Sequence, residues 1–272
     1  MIGAVVGDYR ISGKLGIGGM GVVYEAEDGR TGRPVALKFL PPDLTHDADA
    51  LRRLRREARV VASLNHPRIC SIHAVHDEPG RECLVMERVD GVNLRVWASR
   101  NPVSVASVRR IGWQIADALS AAHAAGVVHR DIKPANVMVA ADGSLKLLDF
   151  GLARPFVEPG STDVAAGSTL PGRPRGTASY MAPERILQSP PDPRSDLFSL
   201  GVLMYELTTG RLPFAADSPA GIVERILEGT PDPWPRRTLP GGRALRPLVM
   251  RLLEPDPDRR VQTAVDVMAA LR

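Results

Sequence analysis

Between Tyr9 and about Arg88 the apolar positions come in short runs that alternate or are β-branched, each closed by Gly, Pro or Asp. RISGKLG, GVVYEAED, PVALKFL, CSIHAVHD and CLVMER each predict a strand. One segment has a different period. In ADALRRLRREARVVASL, Leu51, Leu54, Ala58 and Val61 recur at helical spacing, with Arg52, Arg55, Arg56 and Arg59 on the other face. Glu57 falls on the inward stripe, and a carboxylate there needs a partner. After Gly91 the long apolar periods are helical: VSVASVRRIGWQIADALSAAHAAG, DLFSLGVLMYELTTG, GIVERILEG, ALRPLVMRLLE and TAVDVMAALR. Between the first two lie VVHRDIKPANVMVAADGSLKLLDFG, read as strands and loops, and a Pro-, Gly-, Ser- and Thr-rich stretch from Arg154 to about Tyr180. The pattern therefore divides the chain near residue 89 into a β-rich part and an α-rich part, and such a boundary is a usual place for a ligand cleft.

Composition mostly excludes. A chain of 272 residues with 44% hydrophobic and 24% charged residues has ample material for a core. Cys70 and Cys83 are the only cysteines, which rules out a disulfide framework or a cysteine-built zinc site and suits a reducing cytoplasm; they read as buried free thiols. The longest apolar stretch, Leu197 to Tyr205, is far short of a bilayer span, and the N-terminus lacks the basic region of a signal peptide. Net charge is +4, yet of the 35 basic residues only Lys14, Lys38, Lys133 and Lys146 are lysine. A composition that prefers arginine and retains a few ammonium groups asks where a compact cation is needed.

Gly16, Gly18 and Gly21 have the G-x-G-x-x-G spacing between two predicted strands, where glycines let a backbone approach phosphate closely. With this composition three such glycines arise by chance about 0.2 times per chain, so alone they are weak, and the following strand argues against a Rossmann site or a Walker loop. Lys38 ends the strand Val35-Ala36-Leu37, and Glu57 waits about 20 residues later as a partner. His129, Arg130, Asp131 and Asn136 are far more specific, since their spacing is met by chance about 7 × 10⁻⁴ times. Asp149-Phe150-Gly151 closes the next apolar strand, and Ala182-Pro183-Glu184 begins 33 residues after Asp149.

In order and spacing these motifs resemble the eukaryotic-type protein kinases over residues 8 to 271, and stretches such as LGIGGMGVVYEAED, HRDIKPANVMV and GTASYMAPE are most similar to the bacterial serine/threonine kinases. The resemblance implies an α+β, two-lobed kinase fold. Residues 1–88 would form a small antiparallel β lobe with one key helix, and residues 89–272 a larger, mainly helical lobe, with ATP in the cleft between them. It implies Mg²⁺ as cofactor, with Mn²⁺ as a substitute, and transfer of the γ-phosphate to Ser/Thr hydroxyls of proteins. Lys38 would hold the α- and β-phosphates and pair with Glu57, while Asn136 and Asp149 would ligate the metal. Asp131 would orient the substrate hydroxyl and accept its proton, and Lys133 would neutralise the travelling phosphoryl. Leu15, Gly16, Gly18, Gly21, Val23, Ala36 and Met138 would surround the nucleotide, with Met86 as gatekeeper and Glu87 to Val89 as the adenine-bonding hinge. Val23, Ala36 and Met138 read equally as core packing.

By the same resemblance Thr177 would bond Asp131 and Lys133, Asp196 would anchor the catalytic loop, and Glu184 would pair with Arg260. Arg130 suggests activation by a phosphate in the loop, with Thr169 as the main site and Ser168, Ser161 and Thr162 as competitors. Arg173 and Arg175 are a departure from the family pattern. The arginine face of the 51–61 helix reads first as solvated, then as a docking face for the phosphorylated loop or a partner, and last as a nucleic-acid surface, which the 4% aromatic content does not favour. His123 reads as a packed helix histidine. The expected partners are protein substrates and a second copy through the N-terminal lobe, with neither nucleic acid nor membrane insertion. A cytoplasmic location follows, as an isolated domain or as the cytoplasmic part of a longer membrane-anchored kinase. A pseudokinase scaffold is the alternative from another class, and degraded motifs would mark it; a small-molecule kinase would have no reason to keep Gly176-Thr177 and Ala182-Pro183-Glu184.

Overall fold

The computed structural model describes residues 1–18, 21–40, 48–76, 82–150, 178–236 and 238–272. The expected phosphate acceptor Thr169, its competitors Ser168, Ser161 and Thr162, and Arg173, Arg175 and Thr177 lie outside the described residues. The chain separates into two compact units, with the division after Asp90.

The first unit is a six-stranded antiparallel sheet: β1 (Val5–Val6), β2 (Tyr9–Gly18), β3 (Gly21–Asp28), β4 (Pro34–Phe39), β5 (Ile72–His76) and β6 (Cys83–Glu87), in the order β1-β2-β3-β4-β6-β5. Alternation decides its faces. Val6, Ile11, Ala26, Val35, Leu37, Cys83 and Val85 form a core with Tyr9, Tyr24 and Phe39 packed against it. The intervening positions of β4 and β6, Ala36, Lys38, Leu84 and Met86, therefore belong to the opposite face of the sheet. Register places Ala36 opposite Met86 and Lys38 between Val23 and Leu84. Helix α1 (Ala48–Ala62) buries the predicted stripe Leu51, Leu54, Ala58 and Val61 and lies against β5. Both cysteines are buried free thiols, and burial, helped by the Glu82 charge, pushes the Cys83 thiol up to about 12.

The second unit holds a small antiparallel sheet, β7 (Val92–Asn93), β8 (Val137–Val139) and β9 (Leu145–Leu147), with helices α2 (Leu94–Arg100), α3 (Val105–Ala124), α4 (Pro183–Ile186), α5 (Arg194–Thr209), α6 (Pro219–Glu228), α7 (Arg246–Leu252) and α8 (Ala264–Ala270). Helix α3 begins at a capping box, with Ser104 and Ser107 each bonding the other's backbone N–H. It packs on α8, α5 and β9. Helix α5 is apolar on nearly every side, so it is buried all round rather than along a stripe, and it ends at Gly210 in the left-handed region. No described helix is long and apolar enough to cross a membrane.

Candidate active site

The segment from His129 to Phe150 is held in shape by hydrogen bonds to its backbone. Asp196, fully buried at the start of α5, accepts the N–H of His129 on Oδ2 at 2.8 Å and the N–H of Arg130 on Oδ1 at 2.7 Å. Arg130 has φ +66°, a conformation that non-glycine residues adopt at a cost. The two N–H bonds, with an Arg185 guanidinium bond to Arg130 O, keep it there. His123, on the last turn of α3, places Nε2 2.9 Å from Asp196 Oδ2. Burial alone would push the Asp196 carboxyl up, but the His123 hydrogen bond and the His129 N–H hold it below the ordinary carboxylate range.

The His129 ring links this anchor to the loop. Its Nε2 lies 2.8 Å from Leu148 O and must donate, because a carbonyl only accepts. Its Nδ1 accepts the Asp131 N–H at 3.2 Å. That pattern requires the neutral ring, and complete burial lowers the His129 pKa in the same direction, outweighing the nearby Asp196 and Asp131 charges. Phe150 packs on the ring at 4.4 Å between centroids.

On this frame Asp131 meets two donors through one oxygen. Lys133 Nζ and Asn136 Nδ2 each lie 2.8 Å from Asp131 Oδ2, and Nδ2 also donates to Asp131 O at 2.8 Å. Asp131 and Asn136 are buried, and Pro134–Asn136 form one turn of 3₁₀ helix that fixes the spacing. Leu148 N–H donates to Asn136 O at 2.9 Å, which brings Asp149 beside the loop. Asp149 also has positive φ, +58°. With Nδ2 committed to Asp131, Asn136 is left with its carbonyl oxygen to offer a cation. That oxygen and the Asp149 carboxylate are hard donors, and they fit a small divalent ion.

Further from the loop, Glu184 and Arg260 form a buried bidentate pair at 2.8 and 3.1 Å, completed by Ser195 Oγ at 2.6 Å from Glu184 Oε1 and by Arg260 donating to the carbonyls of Glu254, Arg194 and Pro255. Burial opposes the Glu184 charge, but the Arg260 and Ser195 hydrogen bonds prevail and lower its pKa.

In the sheet unit, Lys38 is only 4% exposed on β4, and Glu57 is half-buried on α1. The glycine hairpin pairs Gly16 with Val23 and Gly18 with Gly21, whose φ is +111°. A Cβ at Gly16 would meet no described atom within 4 Å, so packing against the described residues does not explain the missing side chain. Leu15 is half-exposed on the same strand. Met86 is buried opposite Ala36, Glu87 stands opposite Val35 at the strand end, and Val89 is half-buried just beyond. Met138 lies on β8 of the other unit, opposite Lys146.

Sequence reading alone missed His123 as a partner of Asp196, and it missed Arg185 and Ser195. His123 and Asp196 are 73 residues apart, and no spacing rule links them.

A scaffold of this kind carrying this loop is that of a protein kinase. The model described as "Protein kinase domain" matches residues 9–270, and the chain belongs to that family. PknB of Mycolicibacterium smegmatis, a serine/threonine-protein kinase, is 37% identical over 97% of this chain and 42% of its own length. A probable serine/threonine-protein kinase of Streptomyces coelicolor is 39% identical over 97% and 40%, and pkn2 of Myxococcus xanthus 38% over 97% and 32%. The crystal structure of the Mycobacterium tuberculosis PknI kinase domain, a double mutant, superposes with a TM-score of 0.74 at 26% identity, covering 100% of this chain and 97% of that one. The chain thus spans about two fifths of the length of PknB. The family acts on proteins, using ATP and a divalent metal.

Proposed function

We propose that the chain is the catalytic domain of a protein serine/threonine kinase that transfers the γ-phosphate of Mg-ATP to Ser/Thr hydroxyls. The observation that carries this reading is Asp131, an acceptor-only carboxylate bracketed by Lys133 and Asn136 on a loop fixed from behind by Asp196. Phosphoryl transfer asks a protein mainly for positioning and charge neutralisation. Asp131 orients the substrate hydroxyl and receives its proton, and Lys133 places positive charge where the transferring oxygens pass. Asn136 and Asp149 hold the metal, Mg²⁺ or Mn²⁺ in its place. When bound, that ion would supply positive charge against the transferring phosphate.

Residues 1–88 serve the nucleotide. Gly16, Gly18 and Gly21 offer backbone N–H groups to the phosphates, and Leu15, Val23 and Ala36 give the purine apolar contact, joined by Met138 from the helical part, residues 89–272. Met86 limits the depth of the purine site, and the Glu87–Val89 backbone bonds adenine. Lys38 holds the α- and β-phosphates and is positioned by Glu57. Thr169 is the proposed main autophosphorylation site, with Ser168 as a competitor, Arg130 receives that phosphate, and Thr177 bonds the catalytic loop. A second copy docks through the N-terminal lobe, and the domain works in the cytoplasm, by itself or as the cytoplasmic part of a longer membrane-anchored kinase. Lys38, Glu57, Asp131, Asn136 and Asp149 are all intact, which counts against a scaffold without activity. The test is transfer from Mg-ATP to a generic basic protein. Asp149→Asn and Lys38→Met should each abolish it without changing the melting temperature, and wild-type transfer no greater than theirs would overturn the reading.

A further inference from the structure

Several arginines of the helical unit are engaged by carboxylates. Arg225 holds Asp232 at 2.7 Å, Arg194 holds Asp192 and Asp258, and Arg260 holds Glu184. From Pro235 to Leu253 the sequence has five arginines and no aspartate or glutamate. Two of them, Arg236 and Arg243, line an open concavity of about 530 Å³ with Thr238, Leu239, Gly241 and Gly242. Neither guanidinium bonds another described residue, and the carboxylate nearest in sequence to Arg236, Asp232, is taken by Arg225.

The concavity has fixed walls. Leu239 N–H donates to Thr208 O at the end of α5, Gly242 N–H to Leu239 O and Ala244 N–H to Gly241 O. Gly241 has φ +75°, and a Cβ on Gly242 would lie 2.9 Å from Thr208 and 3.0 Å from Thr238. The turn is thus locked against the helix, with Arg236 and Arg243 around one space and the Thr238 hydroxyl donating to Leu239 O at 3.2 Å.

We propose that this concavity binds a phosphoserine- or phosphothreonine-bearing segment of a protein, so that the kinase docks on substrates already phosphorylated once. The inference rests on the kinase reading for the origin of the phosphate. Planar arginine forks match phosphate oxygens bidentately, and a dianionic phosphoryl group offsets two cations better than one carboxylate does. The volume leaves room for flanking peptide. Among the described residues no aromatic side chain lines it, so they offer bases nothing to stack on.

Binding is measured without ATP, so the result stands apart from kinase activity. Fluorescence anisotropy compares a short labelled phosphothreonine peptide with its unphosphorylated twin on the 272-residue chain. The phosphopeptide should bind at least about tenfold tighter, and added salt should weaken it. Arg236→Ala with Arg243→Ala should remove the preference while leaving activity on a short unphosphorylated peptide unchanged. If melting shows that the alanine pair does not fold, Arg236→Lys with Arg243→Lys keeps charge without the fork and should lose part of the preference. Equal affinity for the two peptides, a preference that survives substitution, or binding to phosphatidylserine vesicles but not to the phosphopeptide would each overturn the proposal.

Discussion

Asp196 shows how one buried side chain sets a functional loop. It accepts two backbone N–H groups and stands against His123, so Asp196→Ala leaves three polar groups without their partner. The expected loss is about 3–5 kcal/mol, read as a lower urea midpoint, and transfer activity should fall with it. A loss below about 1 kcal/mol would mean that the loop holds itself. Acid should destabilise the protein in two windows. His129 is neutral when folded with its pKa lowered, so its contribution is present above the unfolded value of about 6.5 and is lost as pH falls below it. The lowered Asp196 and Glu184 carboxyls contribute above about 4 and fail below that. Urea melts at successive pH values should show the first decline near pH 6.5, and stability flat down to pH 4.5 would contradict it. At this scale the motif residues were legible because their types and spacing are rare. His123 was not, since an apolar helix gives no hint of a carboxylate brought up by another helix.

Among elements, the strands and long helices followed directly from period, and α1 buries the four residues its pattern named. The elements missed are short. The two-residue β1 carries no period, and α2, seven residues long with only Leu94 buried, announces itself mainly by its Asn93 cap. Close packing between helices is likewise invisible in the sequence. At Gly201 a Cβ would lie 2.7 Å from Leu252 Cβ, so α5 and α7 touch where α5 has no side chain. Gly201→Ala, favourable by helix propensity, should nonetheless destabilise by about 1–3 kcal/mol. Thermal unfolding checks this, and an increase in stability would show that the helices can separate without cost.

Across the whole molecule the basic residues sort by task. Arginine supplies the structural forks: Arg260 on Glu184, Arg194 on Asp192 and Asp258, and Arg225 on Asp232. Two of the four lysines, Lys38 and Lys133, fall where the proposed chemistry sets an ammonium against phosphate, and both are well covered in the fold. The period changes near residue 89 and the chain separates into two units after Asp90, whereas the tie between Glu184 and Arg260, 76 residues apart, follows no period: only the resemblance implied it, and the fold shows it as a buried pair. Asp131, held by Lys133 and Asn136, is the proposed centre of phosphoryl transfer. The most direct measurement is transfer of labelled γ-phosphate from Mg-ATP to protein serine and threonine by the wild-type chain and by Asp131→Asn. The wild type should transfer phosphate, and the variant should do so about 10²–10⁴-fold more slowly with melting unchanged. Equal rates, or no transfer by either, would contradict that assignment.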